Sequence, residues 1–328
     1  MKTTLRTALR GLVILWAVSS VVGCFTSPSV SESPIRVGTY NIRLSPGDRG
    51  TPNAWNERKA DVVALLKGLD LDAGGLQEVC PDQARYLREN MPEYEFVGEH
   101  RGADRVSDEA SPVFFRRSRF AAEKSGTFWL SETPDVPGLK GWGAAHPRVC
   151  SYLVLREKAT GRRFCFANTH TDHKSALARE KGMLLIVERM KEFGAGAPII
   201  FTGDHNCRET EAPAVAVSAL LKNAIFAAET TPAGPWRTFN GWEWRENELL
   251  SSDALKLGPD VRNAAIGSPD GPSRDGGYDR GRDWPRIDYI YVSPGMRVLD
   301  YKTVGDTRPG TRLYPSDHFP VVATVLVP

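Results

Sequence analysis

The sequence predicts an α/β (α+β) fold in which two packed mixed sheets are flanked by helices, and three observations lead there. Short apolar runs recur along the chain, few stretches between them carry apolar residues at helical spacing, and many of the runs stop abruptly in an acid, an amide or an imidazole. Strict strand–helix alternation would need a helix after every strand, and the chain does not hold that many. With 328 residues, 41% of them hydrophobic, it can bury a large core, and no repeat or long linker divides it. One large domain is expected over residues 35–328.

The first ten residues carry Lys2, Arg6 and Arg10 and no acid, and Gly11 to Val22 is an apolar run too short to cross a bilayer comfortably. Residues 1–23 therefore read as an export signal. The run closes in Val21-Val22-Gly23-Cys24, which resembles the bacterial lipobox; Cys24 would then be lipidated as the first residue of the mature chain. Residues 24–34 are Ser- and Pro-rich, as a tether should be. The expected location is the cell envelope, as a lipoprotein on the periplasmic or outer surface, with the membrane as partner and a monomer as the assembly. Ordinary cleavage, leaving Cys24 an incidental thiol, is the alternative.

Strands are expected at Ile35–Tyr40, Ala73–Leu76, Tyr94–Val97, Pro112–Phe115, Ser125–Leu130, Val149–Leu155, Phe164–Thr169, Pro198–Thr202, Ile287–Val292 and Val321–Val327, where β-branched and aromatic residues cluster between turn formers. A turn at Thr160-Gly161 joins two of them. Helices are expected at Trp55–Leu69, with Val62, Leu65, Leu66 and Leu69 at helical spacing, at Gln83–Met91, at Ser175–Phe193 and over Pro213–Phe226. From Pro232 to Pro285 the chain is rich in Gly, Pro, Asp, Arg and Trp.

Removal of residues 1–23 takes away three cations and no acid, so 42 basic side chains become 39 against 40 acidic ones. A near-neutral mature chain weakens the case for indiscriminate nucleic-acid binding, which depends on a basic surplus. Cys80, Cys150, Cys165 and Cys207 remain after Cys24, with no metal-knuckle spacing. They are read either as up to two disulfides or as buried free thiols.

The chemistry sits where the apolar runs end. Ala197 to Thr202 runs into Gly203-Asp-His-Asn206, and in a strand residues i and i+2 share a face, so Asp204 and Asn206 project together from its end. Asn41, Glu78, His170 with Asp172, Asp288 and Asp317-His318 stand at similar places. Each alone could be a turn former or a surface charge. Together, carboxylates, amides and imidazoles converging from several strands suit a hard cation such as Mg²⁺ or Mn²⁺, and an Asp–His unit supplies a base whose orientation a carboxylate fixes. Metal-assisted attack of water on phosphorus is the reaction such a set performs.

The ordered set Thr39-Tyr-Asn41, Leu76-Gln-Glu-Val79, Asn168-Thr-His170, Gly203-Asp-His-Asn206, Arg286-Ile-Asp-Tyr-Ile290 and Ser316-Asp-His318 resembles the endonuclease/exonuclease/phosphatase superfamily, the deoxyribonuclease I-like proteins, from Ile35 to Val327. The resemblance implies a four-layer α/β/β/α sandwich with its site at the mouth between the sheets. It implies that Glu78 is a metal ligand, that Asn41 supports that metal or a phosphate oxygen, and that Asp317 either pairs with a histidine or contacts metal. By the same resemblance Asp204 orients the attacking water and Asn206 holds the phosphate. His318 would pair with Asp288 or Asp317, and His170 would stabilise the phosphorane. Glu109 lies where some members keep a Glu paired with that second histidine, and Arg148 and Arg43 could clamp phosphate through guanidinium forks. Each arginine could equally be a surface cation.

Asn53-Ala-Trp-Asn-Glu-Arg-Lys59, Gly126-Thr-Phe-Trp-Leu-Ser-Glu-Thr-Pro134 and Gly141-Trp142 resemble a bacterial exported branch of the family. Trp129 and Trp142 read as packing residues rather than ligand stackers. After Thr238-Phe-Asn-Gly-Trp242, residues 243–285 form an insertion, with Trp244, Tyr278 and Trp284, that could be a specificity lid or variable surface. The expected protein is thus an exported Mg²⁺- or Mn²⁺-dependent phosphoesterase acting on a phosphodiester or phosphomonoester. Nuclease, sugar or inositol phosphatase and phospholipase all stay open. The alternative from another class is a non-catalytic surface binding protein that keeps the fold.

Overall fold

A computed structural model describes residues 33–246, 248–257 and 286–328. The expected export signal, Cys24, the tether up to residue 32, and residues 258–285 of the insertion with Tyr278 and Trp284 lie outside the described residues.

Two mixed six-stranded sheets pack face to face. Strands β1 (Ile35–Asn41), β2 (Ala73–Gln77), β3 (Tyr94–Val97), β4 (Val113–Arg116), β11 (Arg297–Thr303) and β12 (Val321–Leu326) form the first, in the order β11-β12-β1-β2-β4-β3. The second holds β5 (Phe120–Trp129), β6 (Val149–Glu157), β7 (Arg163–His170), β8 (Ile199–Asp204), β9 (Lys222–Asn223) and β10 (Asp288–Val292), in the order β5-β6-β7-β8-β10-β9. Helices α1 (Trp55–Gly68) and α2 (Pro81–Asn90) cover the outer face of the first sheet, and α3 (Ala176–Phe193) and α4 (Ala212–Ser218) that of the second. Two short helices follow, α5 (Ala224–Ala227) and α6 (Ser251–Ala254).

Three apolar cores separate these four layers. One lies between the sheets, around Val37, Phe115, Phe166, Ile200 and Ile290; one lies under α3 and α4; the third lies under α1 and α2. The central strands are buried on both faces, and that is why they read as continuous apolar runs rather than alternating ones. Trp129 is a core residue and Trp142 packs at the edge of the α3 core, as packing residues do. Cys80, Cys150, Cys165 and Cys207 are buried free thiols.

Two expectations fail locally. Pro213–Phe226 is not one helix: α4 stops at Ser218, and Lys222 and Asn223 pair with β10 before α5 begins. The Ala- and Val-rich stretch has a helical pattern throughout, but an edge position beside β10 takes the middle of it. Strand β11 was not anticipated, because Arg297, Asp300 and Lys302 interrupt its apolar residues and a register shift between Val298 and Asp300 breaks its alternation.

The two sheets are tied by polar groups as well as by apolar packing. Asn168 on β7 reaches across the interface and donates from Nδ2 to the carbonyls of Leu76 (2.7 Å) and Pro112 (3.1 Å). Its Oδ1 accepts from Gln77 Nε2 at 2.6 Å and from Thr202 Oγ1 at 3.1 Å. Gly75 makes the crossing possible, since a Cβ there would lie 2.2 Å from the Asn168 side chain. The fully buried Arg58 of α1 ties the loops above this clamp, donating to the carbonyls of Ile42, Arg43 and Pro315.

At the opposite side of the second sheet Glu157 accepts from Ser33, Arg119, Thr160 and Arg162. Burial would raise its pKa, but these hydrogen bonds outweigh it and hold the carboxyl down at about 2.

Two predictions follow from these ties. Asn168→Ala removes four buried hydrogen bonds, leaving Gln77 Nε2 with Thr39 Oγ1 and the Pro112 carbonyl with the Leu76 N–H, and should cost about 2–4 kcal/mol of unfolding free energy in a urea titration; a loss under about 0.5 kcal/mol would contradict the clamp. For Glu157, a folded pKa below the unfolded value of about 4.3 means stability present above that pH and lost progressively as pH falls towards about 2. Glu157→Gln should lower the melting temperature at pH 7 and flatten its decline over that acid window, and a variant that declines in parallel with the parent would refute the role.

Candidate active site

Strand register sets the first line of the site. His170 at the end of β7 pairs with Asp204 at the end of β8, and Asp204 pairs with Asp288 at the start of β10. Three chemistry-bearing residues thus stand side by side across three neighbouring strands. β8 lies close beside β7 because position 203 is glycine: a Cβ there would meet the Thr169 carbonyl at 2.2 Å.

The first sheet supplies the second line. Asn41 ends β1, paired with Gln77, and Glu78 follows with a positive φ of 61°. That backbone is unusual for a glutamate and turns its carboxylate into the cleft instead of along the sheet. Asp317 and His318 arrive on the loop before β12. The turn at 238–242 fixes that loop: Asn240 and Gly241 donate to the Asp317 carbonyl, and Phe319 donates to the Thr238 carbonyl. Thr238 Oγ1 also accepts from the backbone N–H groups of Ile287 and Asp288, so one turn positions both partners of the Asp–His pair.

His318 Nδ1 lies 2.9 Å from Asp288 Oδ2, which selects Asp288 over Asp317 as its carboxylate partner. Its Nε2 lies 3.7 Å from Asp204 Oδ2. Burial alone would lower the His318 pKa, but Asp288 first, then Asp204 and Asp317, outweigh it and push it up to about 10. Asp204 is pushed up to about 7 by burial and by Asp288. His170, with Nε2 3.5 Å from Asp204 Oδ2, is held well below the ordinary histidine value by burial and by Arg148 and Arg101, so it is neutral. Asn206 donates its backbone N–H to Asp204 Oδ1 at 3.0 Å and its amide to the Thr171 carbonyl at 3.1 Å.

Asn41 donates from Nδ2 to Glu78 Oε1 (3.1 Å) and to Asp204 Oδ2 (3.0 Å), while its Oδ1 accepts from the Arg43 N–H at 3.0 Å. Its nitrogen, not its oxygen, faces the two carboxylates. Asn41 thus bridges Glu78 and Asp204 and orients both carboxylates.

Two groups of side chains have donors that suit a cation. Asp204, Asp288 and His318 bring one ligand atom each within 4.8 Å of one another. There the Asp288 hydrogen bond already occupies His318 Nδ1, which leaves the imidazole only Nε2 to offer a cation. Glu78 fits better. Burial would raise its pKa, but Arg43, His318 and the N–H donors of Leu44 and Asn41 outweigh it, leaving the carboxylate ionised. Each of its oxygens accepts one hydrogen bond, from Asn41 or Leu44, and keeps a lone pair. Asp317 lines the same cleft. Hard oxygens with room for water and phosphate suit Mg²⁺ or Mn²⁺.

Two other expectations change. Glu109 lines the cleft but does not pair with His170: Arg101 forks onto its carboxylate at 3.0 and 3.1 Å, and His170 Nδ1 is without a hydrogen-bond partner. Arg101 was missed from sequence, since nothing in His100-Arg101-Gly102 marks it. Arg43 lines the cleft with its Nε 2.9 Å from Asp48 and 3.6 Å from Asp317, so it steadies an acid as well as facing substrate. Arg148, the other arginine expected at the site, is buried in the cleft wall. His146 and His173 complete that wall and were also missed, although each lies within three residues of a flagged position, Arg148 or His170. Among the described residues of the insertion, Trp244 stacks on Arg312, with 4.3 Å from the guanidinium carbon to the ring centroid.

Residues 38–318 match the sequence model of the Endonuclease/Exonuclease/phosphatase family. An endonuclease/exonuclease/phosphatase family protein from Bacteroides thetaiotaomicron is 30% identical and superposes with a TM-score of 0.75 over 91% of this chain and 97% of that one. A mannosyl-6-phosphatase from the same organism is also 30% identical, with a TM-score of 0.74 over 89% and 99% of the two chains. Nocturnin of Drosophila melanogaster is 24% identical over 305 residues, 82% of this chain and 41% of that protein. The chain spans less than half the length of the curated relatives it matches.

Proposed function

The chain belongs to the endonuclease/exonuclease/phosphatase family, whose members hydrolyse phosphate esters, and on that premise we propose that it is an exported, Mg²⁺- or Mn²⁺-dependent phosphoesterase held at the membrane through Cys24. The observation that carries the catalytic reading is the Asp288–His318–Asp204 chain, a carboxylate–imidazole–carboxylate relay in a cleft of about 250 Å³ whose other wall is cationic. A binding protein that merely kept the fold would have no use for three buried titratable groups packed at such electrostatic cost.

When bound at Glu78, the divalent cation would polarise a phosphate oxygen and neutralise charge growing on phosphorus and on the leaving oxygen. The protein's own groups do the rest. Asp204, oriented by the Asn41 amide and the Asn206 N–H, holds a water in line with phosphorus. As that oxygen bonds to phosphorus and the ester P–O bond breaks, one water proton passes to Asp204, whose pKa of about 7 suits a base at neutral pH. His318, fixed by Asp288, balances charge on Asp204 through the step. Neutral His170 donates a hydrogen bond to the phosphorane oxygen, and the leaving alkoxide takes its proton from solvent.

The family description covers phosphodiesterases and phosphatases alike. Similarity at 30% identity to a mannosyl-6-phosphatase supports a small phosphorylated substrate, as does a near-neutral mature chain, which offers little non-specific attraction to nucleic acid.

The test is hydrolysis of nitrophenyl phosphate esters by the purified chain with Mg²⁺ or Mn²⁺. Chelation should abolish turnover and metal should restore it. Asp204→Asn should lower kcat by at least about 1,000-fold with an unchanged circular dichroism spectrum. Full activity in chelator, or in the Asn variant, would overturn the assignment.

A further inference from the structure

Arg286 opens the Arg286-Ile-Asp-Tyr-Ile290 run, yet the hydrolytic step gives it no part. It is 3% exposed, and among the described residues its Nε and Nη1 have no hydrogen-bond partner. A guanidinium cannot shed its charge by losing a proton, so burial here needs another source of compensation. Three aromatic rings supply it. The guanidinium carbon lies 5.2 Å from the ring centroid of Trp236, 5.2 Å from that of Tyr289 and 5.0 Å from that of Tyr301. Its Nη2 also donates to the Tyr301 hydroxyl. Ring faces attract a cation most strongly where water is excluded, and all three rings are buried.

The cage draws on separate parts of the fold. Tyr301 stands on β11 of the first sheet, Tyr289 stands on β10 of the second, and Trp236 leads into the 238–242 turn that fixes the Asp317–His318 loop. The Tyr289 hydroxyl lies 2.7 Å from the Arg286 carbonyl and 3.0 Å from that of Cys207, so the backbone at Arg286 is tied as well as its side chain. Arg286 thus joins both sheets and that turn immediately before Asp288.

Asp288 needs such support. It is 0% exposed; Oδ2 takes the bond from His318, and among the described residues Oδ1 has no hydrogen-bond partner. A buried carboxylate with one oxygen unmet is costly unless a nearby positive charge offsets it. The Tyr301 phenol is pushed up by burial, and the Asp288 charge adds to that rise, so the phenol stands within the field of the carboxylate. Arg286, two residues from Asp288 in the chain, is bonded to that same phenol.

We propose that Arg286 is a positioning residue for the Asp288–His318 pair: locked among Trp236, Tyr289 and Tyr301, it fixes where Asp288 stands and supplies a buried positive charge that steadies its carboxylate. The kinetic part of this inference rests on the phosphoesterase reading above. His318 Nε2 lies 3.7 Å from Asp204, so a small displacement of Asp288 turns the imidazole out of the relay.

The experiment follows p-nitrophenyl phosphate hydrolysis by the full chain with Mg²⁺. Arg286→Met should lower kcat by roughly 10- to 100-fold and change KM by less than about twofold. Arg286→Lys keeps the charge but cannot bond Tyr301 and lie flat against the rings together, and should recover only part of the loss. In an Asp288→Asn background Arg286→Met should lower kcat by less than about twofold, because the two residues act through one group. If Arg286→Met does not fold, Tyr301→Phe, which keeps the ring and removes the hydroxyl, carries the same comparison with a loss of about fivefold. Proton NMR supplies a readout without turnover. The His318 Nδ1–H bonded to Asp288 gives a low-field resonance, identified by its absence in His318→Gln, and it should move upfield in Arg286→Met or Tyr301→Phe. An unmoved resonance, or an equal fall in kcat with and without the Asp288 carboxylate, would overturn the inference and leave the phosphoesterase reading intact. A native chain that hydrolyses no phosphate ester would overturn that reading instead, and the resonance would still test the cage.

Discussion

The hydrogen bond between Gln77 and Asn168 is the constraint from which the site follows. It crosses the seam between the two sheets at the end where their functional side chains emerge, and it is short, 2.6 Å, and fully buried. Apolar packing alone would tolerate small slides of one sheet over the other, because dispersion and burial are non-directional. Four hydrogen bonds on one buried amide are directional, so they fix the register of the two sheets as packing alone would not. With the sheets pinned there, Asn41 from one can reach Asp204 on the other, and His318 can reach Asp288. The contacts that join the two halves of the site, Asn41 to Asp204 and His318 to Asp288, cross this seam.

The electrostatics are a consequence of that convergence. Asp204 and Asp288 are adjacent in register and both are buried, an arrangement that would repel if nothing stood between them. His318 answers it with a positive charge, and the two acids keep that charge in place. Glu78 sits apart from this group, ionised and steadied by Arg43, Asn41 and the Leu44 N–H. The cleft is therefore divided into a carboxylate–imidazole–carboxylate chain, an ionised carboxylate, and a wall of guanidinium and imidazole groups, each with a different charge.

Much of this was legible in the sequence because strand ends are conspicuous. An apolar run that stops in Gly-Asp-X-Asn marks Asp204 and Asn206 directly, and the same logic found Asn41, Glu78, His170, Asp288 and His318. All of them line the cleft or touch a residue that does. The choice between Asp288 and Asp317 as partner of His318 was not legible, since it depends on how the 238–242 turn holds two distant segments together. Nor was the orientation of the Asn41 amide, which the Arg43 backbone N–H decides. Arg101, His146 and His173 escaped because loops, not strand ends, carry them. The Pro213–Phe226 stretch shows the converse error, in which helical propensity was overridden by an available sheet edge.

We propose that the cation binds at Glu78 and that Asp204, Asp288 and His318 form a proton relay rather than a ligand set. Crystals soaked in Mn²⁺ and measured for anomalous scattering test it most directly. The account predicts a peak within coordination distance of the Glu78 carboxylate, with the His318–Asp288 hydrogen bond intact. A peak enclosed by Asp204, Asp288 and His318, with that hydrogen bond broken, would contradict it.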